Sequence, residues 1–483
     1  MCVESTRFVL QYTIYLEKDG YLQMNESPKK INPLGTESIP GLMVKFAIPS
    51  IIAMLVSSVY NIVDQLFIGQ AIGTLGNAAT NVVFPLNISC TALALLFGIG
   101  GASCYNLALG RGEKERAPQF MGSALSMLAI SGIVLFLITE LFTTSILIAF
   151  GTPDDVFPYA DEYVRAVAFG FPFLLLTTGG GHLIRADGSP KMTMICNLSG
   201  AILNIFLDAL FVFGFKWGMA GAAWATVIGQ VVSGTIVIVY MAKFKNADLQ
   251  WKHLKVNFSC IGEVAAIGMA SFFNQVAMMV VQVVMNNLLK HYGALSIYGS
   301  AIPIACSGIA MKTSQLFFSV VIGIAQGSQP IESFNYGAKN YDRVKKALAL
   351  ALAAGGCVSM LSFIVFQTMP RQILSLFGNG TKEYFTFGVM FMRRFLFAMF
   401  LNFIQPITST FFTSIGKPIK GVFLSMTRQI IFLLPLLIIM PKFMGIEGIV
   451  YSAPIADFAA AGTAFIMIAF EMRAMHRLQR AQL

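Results

Sequence analysis

Twelve long apolar segments follow one another from Leu42 almost to the end of the chain, and they constrain the fold more than any other feature. Gly, Pro or charged residues separate them, and each is long enough to cross about 30 Å of hydrocarbon as a helix. In chain order, as α1 to α12, they cover residues 42–69, 79–108, 122–149, 160–184, 191–213, 219–242, 261–289, 295–326, 345–369, 384–413, 420–443 and 448–473. A backbone in lipid must satisfy its own hydrogen bonds, and these segments are too continuously apolar for barrel strands. We therefore expect an all-α membrane protein with twelve transmembrane helices.

The two halves of the chain repeat the same landmarks in the same order. The pairs are Ala47-Ile48 with Ala266-Ile267, Pro85 with Pro303, Arg165 with Arg393, Gly188-x-Pro190 with Gly416-x-Pro418, and Gly218-x-x-Gly221 with Gly445-x-x-Gly448. Six helices return the chain to its starting side, so we expect two parallel six-helix lobes. Duplicated membrane halves are typical of transporters, because a site between two similar lobes can open to either side in turn.

The predicted organisation has five parts. Residues 1–37 form an N-terminal cytoplasmic segment, of which 1–23 lie outside the repeat and are expected to be either dispensable or an artefact of the assigned start site. Residues 38–245 form the first lobe (α1 to α6), 246–260 a cytoplasmic linker, 261–475 the second lobe (α7 to α12), and 476–483 a basic cytoplasmic tail. No segment remains for a catalytic domain, and no phosphate-binding loop, metal-spaced His or Cys cluster or nucleophile motif occurs in the sequence. We expect no enzyme activity and no cofactor.

The net charge of +10 is distributed as in a membrane protein rather than a nucleic-acid-binding protein. Lys and Arg gather after the even-numbered helices, whereas the loop after α3 is acidic. The basic residues are Arg111, Lys114 and Arg116; Arg185 and Lys191; Lys243, Lys245, Lys252 and Lys255; Lys339, Arg343, Lys345 and Lys346; Lys417 and Lys420; and Arg473, Arg477 and Arg480. By the positive-inside rule, both termini are cytoplasmic and the protein lies in the cell membrane. The seven cysteines are scattered and are expected to be packing residues.

Two carboxylates lie inside apolar segments of the first lobe, Asp64 in α1 and Asp208 in α5. Ionisable groups at membrane depth are costly and usually functional. Helical spacing places each beside polar side chains: Ser57 and Asn61 in α1, and Asn197 and Asn204 in α5.

These groups predict a site for the coupling cation. Burial and the closeness of a second carboxylate both favour protonation at physiological pH, and the same oxygens could ligate Na⁺. Thr226 in α6 could add a hydroxyl. At the equivalent positions the second lobe has Val283, Ile431 and Pro435, so the repeated fold does not require these polar groups. The alternative is that they act only as polar contacts between helices.

Three further polar residues are weaker candidates for a substrate cavity. Gln326 and Gln329 lie in a Gly- and Pro-containing stretch that we expect to end α8, and a helix-ending turn explains them equally well. Asp457 lies in the apolar α12, where an interhelical hydrogen bond is the alternative.

Several of these stretches together resemble the multidrug and toxic compound extrusion (MATE) family, in its bacterial MepA-type branch. The matching stretches are Ile48-Pro49 with Tyr60 to Gly69 in α1, Gly98 to Gly101 with Leu109 to Gly112 in α2, and Gly323 to Pro330 with Asn335-Tyr336-Gly337 at α8. The resemblance covers residues 38 to 475.

The resemblance implies a two-lobe antiporter that expels organic cations and drugs in exchange for H⁺ or Na⁺. The family's coupling positions match Asp64, Asn204, Asp208 and Thr226. In place of the Asn that some relatives carry in α4, this chain has Gly179-Gly180-Gly181, and acidic residues are absent from α7 and α10 where some relatives have them.

The alternative function is a lipid-linked precursor flippase of the same architecture, which should have a basic cavity. We expect a protein that works as a monomer in the lipid bilayer, with small organic cations or drugs as partners and no nucleic acid.

Overall fold

The computed structural model describes residues 32–150, 152–244, 249–299, 301–376 and 381–480, and within these ranges every regular element is helical. In these ranges eleven helices are long and apolar enough to cross a membrane, and a bent pair makes the twelfth span. The predicted count is therefore confirmed. The predictions for residues 1–23 lie outside the described ranges.

The twelve spans extend the predicted segments by a few residues at most ends. They are α1 (Ile39–Ala71), α2 (Leu75–Arg111), α3 (Arg116–Ala149), α4 (Phe157–Ala168 with Phe171–Ala186), α5 (Pro190–Gly214), α6 (Gly218–Met241), α7 (Phe258–Ala294), α8 (Ile302–Gly337), α9 (Tyr341–Thr368), α10 (Lys382–Ser414), α11 (Pro418–Met444) and α12 (Ile446–Arg480).

The internal repeat is visible in matched irregularities of the helices. In the first lobe α4 bends by 57° between its two pieces, and in the second lobe α10 is interrupted by a 3₁₀ turn at Phe397–Leu401. Both α5 and α11 contain a π-helical stretch, at Ala209–Gly214 and Thr427–Leu433. Such stretches are rare and are enriched at functional sites, and the one in α5 begins directly after Asp208.

The end of α8 differs from the prediction. We expected the Gln326–Pro330 stretch to end the helix, but α8 continues through Pro330 to Gly337. Proline removes one backbone hydrogen bond, which a transmembrane helix tolerates when neighbouring helices pack against it. Gly327 serves that packing, because a Cβ built there would lie 2.6 Å from the Cα of Ala47 in α1.

The two lobes meet where α1 packs along α8 and where α2 packs along α7 and α8. We call the end of the bundle at which the even-numbered helices terminate the basic end, and the contacts between lobes in that half the seam. Helix backbones touch directly there: a Cβ on Gly268 of α7 would clash with the carbonyl of Leu96 in α2, and one on Gly337 with the carbonyl of Leu107. The seam is therefore closed in this structure.

Candidate ion-coupling site in the first lobe

The crossing of α5 and α6 positions the amide part of the site. These helices approach closely at Gly200 and Gly229, where a Cβ on Gly200 would lie 2.6 Å from the carbonyl oxygen of Gly229. Asn204 lies one turn after Gly200, and Thr226 lies nearly one turn before Gly229 on the facing helix. Asn204 Nδ2 accordingly donates a hydrogen bond to Thr226 Oγ1 at 3.3 Å.

The packing of α1 along α5 brings the two predicted carboxylates together. Asp208 is fully buried and Asp64 is partly exposed. Their carboxyl groups lie within side-chain hydrogen-bonding reach of each other, and the Asn204 amide lies beside Asp208. The structure therefore assembles Asp64, Asn204, Asp208 and Thr226 into one cluster.

Several oxygens of this cluster have no hydrogen-bond donor. Asp64 Oδ1, both carboxylate oxygens of Asp208 and Asn204 Oδ1 are buried and accept no hydrogen bond from any residue that the structure describes. Two ionised carboxylates in contact repel each other, so such a pair requires a proton or a cation between them. A shared proton would turn the contact into a hydrogen bond, whereas Na⁺ would use the same oxygens as ligands.

Aromatic side chains that the sequence analysis missed surround the pair. Tyr60 and Tyr163 lie close enough to interact electrostatically with both carboxylates. Tyr60 is four residues before Asp64, a spacing that already indicated a shared helix face. Phe67 of α1 contacts Phe213 of α5 edge-to-face, with ring centroids 5.5 Å apart, about one turn beyond the two acids. This contact joins α1 to α5 on the side away from the basic end.

Asn61 and Asn197, predicted from spacing to support the site, form no hydrogen bond with the cluster among the described residues. Asn61 is exposed, and its Nδ2 donates to the carbonyl of Ser57 at 2.6 Å in its own helix. Asn197 is half-buried in α5, nearly two turns before Asn204.

The predicted cavity residues lie in helix contacts instead. Gln326 is buried and donates to Met54 Sδ of α1 at 3.8 Å. Gln329 donates to the carbonyl of Ile99 at 3.3 Å and to Ser103 Oγ at 2.9 Å, so it joins α8 to α2 in the seam. Asp457 is buried and accepts a hydrogen bond from Arg428 Nε of α11, the interhelical alternative that we considered from the sequence.

Charged residues of the second lobe that the sequence analysis did not consider include Lys312, Glu332 and Glu471. Lys312 is exposed on α8 and donates to Gln65 Oε1 of α1 at 2.8 Å, beside Asp64 in the sequence. Glu332 and Glu471 are fully buried. All three lie in stretches where polar residues flank apolar ones, so hydropathy gives little signal.

Other potential sites lie elsewhere or are absent from the described part of the chain. A cavity of about 920 Å³ at the basic end is lined by linker residues and the start of α3, away from the carboxyl pair. No group of three or more His, Cys, Asp or Glu side chains that could hold a metal ion occurs among the described residues.

A twelve-span protein of two parallel lobes with a buried carboxyl pair in one of them has the architecture of a secondary transporter. The family model MatE matches residues 49–210 and 270–439. The chain belongs to the MATE family, whose members are multidrug efflux transporters and not enzymes.

Known relatives cover nearly the whole chain. The multidrug export protein MepA of Staphylococcus aureus (strain MSSA476) is 25% identical over 430 residues, which are 88% of this chain and 92% of MepA. MepA of Staphylococcus haemolyticus (strain JCSC1435) is 24% identical over 433 residues, covering 89% and 93%.

Solved structures show the same fold. The MATE multidrug transporter DinF-BH, solved as a complex, is 30% identical, with a TM-score of 0.84 over 92% of this chain and 98% of that one. A MOP superfamily transporter from Pyrococcus furiosus Vc1 (DSM3638), whose binding pocket is described as reversed in polarity, superimposes with a TM-score of 0.86 at 20% identity, covering 93% and 100%.

Proposed function

We propose that this protein exports organic cations and drugs in exchange for H⁺ or Na⁺ that moves inwards, by alternating exposure of its lobes to the two sides. The observation that carries the proposal is the Asp64–Asp208 pair, whose buried oxygens lack donors among the described residues. The names of MepA as a multidrug export protein and of DinF-BH as a multidrug transporter support a broad range of small-molecule substrates.

Each residue of the cluster has a role in binding the coupling ion. Asp64 is partly exposed and receives the ion first, because it can be reached before the fully buried Asp208. Asp208 holds the ion inside the lobe, and the Asn204–Thr226 bond fixes the amide beside it. Occupancy neutralises the pair, so the ion binds one arrangement of the lobes better than the other, and that difference drives the switch.

The concentration gradient of the coupling ion supplies the energy for this exchange. Exchange of one H⁺ or Na⁺ for one singly charged organic cation moves no net charge, so a hundredfold ion gradient, about 2.7 kcal/mol, corresponds to roughly a hundredfold substrate gradient. We further propose that the basic end faces the cytoplasm, that both termini lie there, and that the protein works as a monomer in the cell membrane.

Transport by purified protein in liposomes tests this function. A fluorescent organic cation should be moved against its gradient when a proton or Na⁺ gradient is imposed, and Asp64→Asn should abolish that movement. Asp161→Asn is the matched control, because it removes a carboxylate of the same lobe that is not part of the site. The Oδ2 atom of Asp161 instead pairs with Arg165 Nε at 3.0 Å. Full ion-driven transport by Asp64→Asn would contradict the proposal, and an Asp161→Asn loss would show that the effect is not specific to the pair.

A further inference from the structure

Glu332 of α8 is a buried carboxyl group for which the proposed exchange mechanism has no role. Its exposed fraction is 0%, and neither of its carboxylate oxygens accepts a hydrogen bond from a described residue. Burying an ionised carboxylate without a partner is among the most costly arrangements in a protein. The group therefore requires a different explanation from Glu471 of the same lobe, which is equally buried but pairs with Lys417 and with Lys420.

The immediate neighbours of Glu332 suit a protonated carboxyl. The hydroxyls of Ser328 and Ser414 lie within hydrogen-bonding reach of it. Each hydroxyl donates its own proton to a carbonyl of its own helix, Ser328 to Ala325 at 3.0 Å and Ser414 to Thr410 at 2.8 Å. Their oxygens remain able to accept, so a neutral Glu332 can donate its O–H to either one, whereas an ionised Glu332 would have to draw one of these hydroxyl protons away from its helix carbonyl.

No charge on a described residue near Glu332 stabilises its ionised form. The described ionisable side chains at the basic end include Glu37 and Lys45 before and in α1, Arg111 in α2, His182 and Arg185 in α4, Lys339 after α8, Asp342, Arg343, Lys345 and Lys346 in α9, Lys417 and Lys420 at α11, and Glu471 in α12. None of them contributes an electrostatic interaction at Glu332. Two of the arginines are engaged elsewhere: Arg343 donates to Asn335 Oδ1 at 2.9 Å, and Arg185 contacts His182 Nδ1 at 2.9 Å.

The position of Glu332 links it to the closed seam. It lies three residues after Gln329, which bonds to α2, and five residues before Gly337, whose Cα faces the Leu107 carbonyl of α2. Residues on both sides of Glu332 along α8 thus contact α2 of the other lobe, whereas Ser414 beside it belongs to α10 of its own lobe. Parting of the lobes at the basic end would remove α2 from these neighbouring residues and admit water to α8 next to Glu332.

We propose that Glu332 is a proton-binding site of the second lobe, which holds its proton while the seam is closed and releases it to water when the lobes part at the basic end. The O–H bond of the acid breaks, the electron pair stays on the carboxylate, and water accepts the proton. This proposal rests on the alternating movement of the lobes in the proposed function. It assigns the second lobe a protonation step of its own, besides that of the Asp64–Asp208 pair.

Infrared difference spectroscopy tests the protonation state directly. The spectrum of the wild type minus that of Glu332→Gln, taken at neutral pH, should show the C=O stretch of a protonated carboxyl. Glu471→Gln is the matched control, because its ion-paired carboxylate should contribute carboxylate bands only. A difference spectrum of Glu332→Gln with carboxylate bands alone would overturn the proposal.

Distance measurements test the link to the seam. Spin labels at the exposed Lys114 and Lys346, one in each lobe near the basic end, report the opening of the seam in a cysteine-free background. Alkaline pH should increase the population with the longer distance in the wild type, and Glu332→Gln should lose most of this shift. An unchanged shift in Glu332→Gln refutes the link.

A third variant separates this proposal from the proposed function. Asp208→Asn should lose ion-driven transport but keep the part of the pH-dependent shift that belongs to Glu332. If the wild type shows no ion-driven transport while the infrared band and the distance shift are present, the proposed function fails and the Glu332 site stands.

Discussion

Replacing Asp208 by Asn tests most directly whether the carboxyl pair couples ion entry to export. The substitution keeps the size of the side chain and removes its charge, at a position that is fully buried. Because both oxygens of Asp208 lack a donor among the described residues, no hydrogen bond that they accept from those residues is lost. We therefore expect the free energy of unfolding to change by no more than about 1 kcal/mol.

The expected effect on transport is much larger. In the wild type, one ion exchanged for one singly charged substrate moves no net charge, so a hundredfold ion gradient can support roughly a hundredfold substrate gradient, equivalent to about 2.7 kcal/mol. In Asp208→Asn the neutral amide cannot take up a proton, and Asp64 loses the carboxylate that it faces. With no membrane potential the substrate should then only equilibrate, so its steady-state concentration ratio should fall to about one, a loss of the whole hundredfold factor.

The assay is uptake of a fluorescent organic cation into proteoliposomes, measured at steady state with an imposed H⁺ or Na⁺ gradient and with the potential held at zero by equal K⁺ concentrations and valinomycin. A companion thermal unfolding measurement shows whether the variant is folded, and Asp161→Asn again serves as the control. A folded Asp208→Asn protein that still maintains the wild-type gradient would refute the assignment of Asp208 to coupling.

Two further predictions concern the basic end. Glu471→Gln should lower the free energy of unfolding by about 1–3 kcal/mol, since it leaves Lys417 without the buried carboxylate that it binds. Burial lowers the pKa of Lys417, but its bonds to Glu471 and Tyr336 raise the pKa overall. The stabilisation by this ion pair is therefore present at neutral pH and is lost as the pH rises through the raised pKa. Equal stability of variant and wild type at neutral pH would contradict the prediction. Gly268→Ala should hold the seam open, because its methyl group would clash with the Leu96 carbonyl. Labels across the basic end should then report the longer distance, and an unchanged distance distribution would show that the contact does not govern closure.

The transmembrane helices were predictable because lipid imposes one simple rule on the backbone. Segments such as 122–149 and 345–369 are long and predominantly apolar, and the structure has them as α3 and α9 with slightly longer bounds. The end of α8 was not predictable in the same way. Glycine and proline usually interrupt helices, so the sequence around Gly327 and Pro330 predicted a helix end. The helix continues because α1 packs closely against Gly327, and this contact is known only from the tertiary structure.

The cluster of Asp64 and Asp208 was also indicated by sequence, since a carboxylate in an apolar helix is too costly to be incidental. Sequence spacing alone could not decide which polar neighbours of Asp64 in α1 lie close to Asp208. Tyr60 and Asn61 are both within one turn of Asp64, and the structure places Tyr60 near the acids and Asn61 at an exposed position. Helix rotation relative to α5 decides between them, and no pattern within α1 encodes it.

Hydropathy and helical periodicity were enough to give twelve helices, two repeated lobes and the pair of acids, because these depend on each segment's own contact with lipid. The partners of Asp457, Gln329 and Glu332 depended on tertiary structure. Asp457 pairs with Arg428 across a helix contact, Gln329 bonds to the other lobe, and Glu332 has no donor among the described residues. The role of a buried polar group depends on its hydrogen-bond partners, and these partners lie on helices that are distant in the chain.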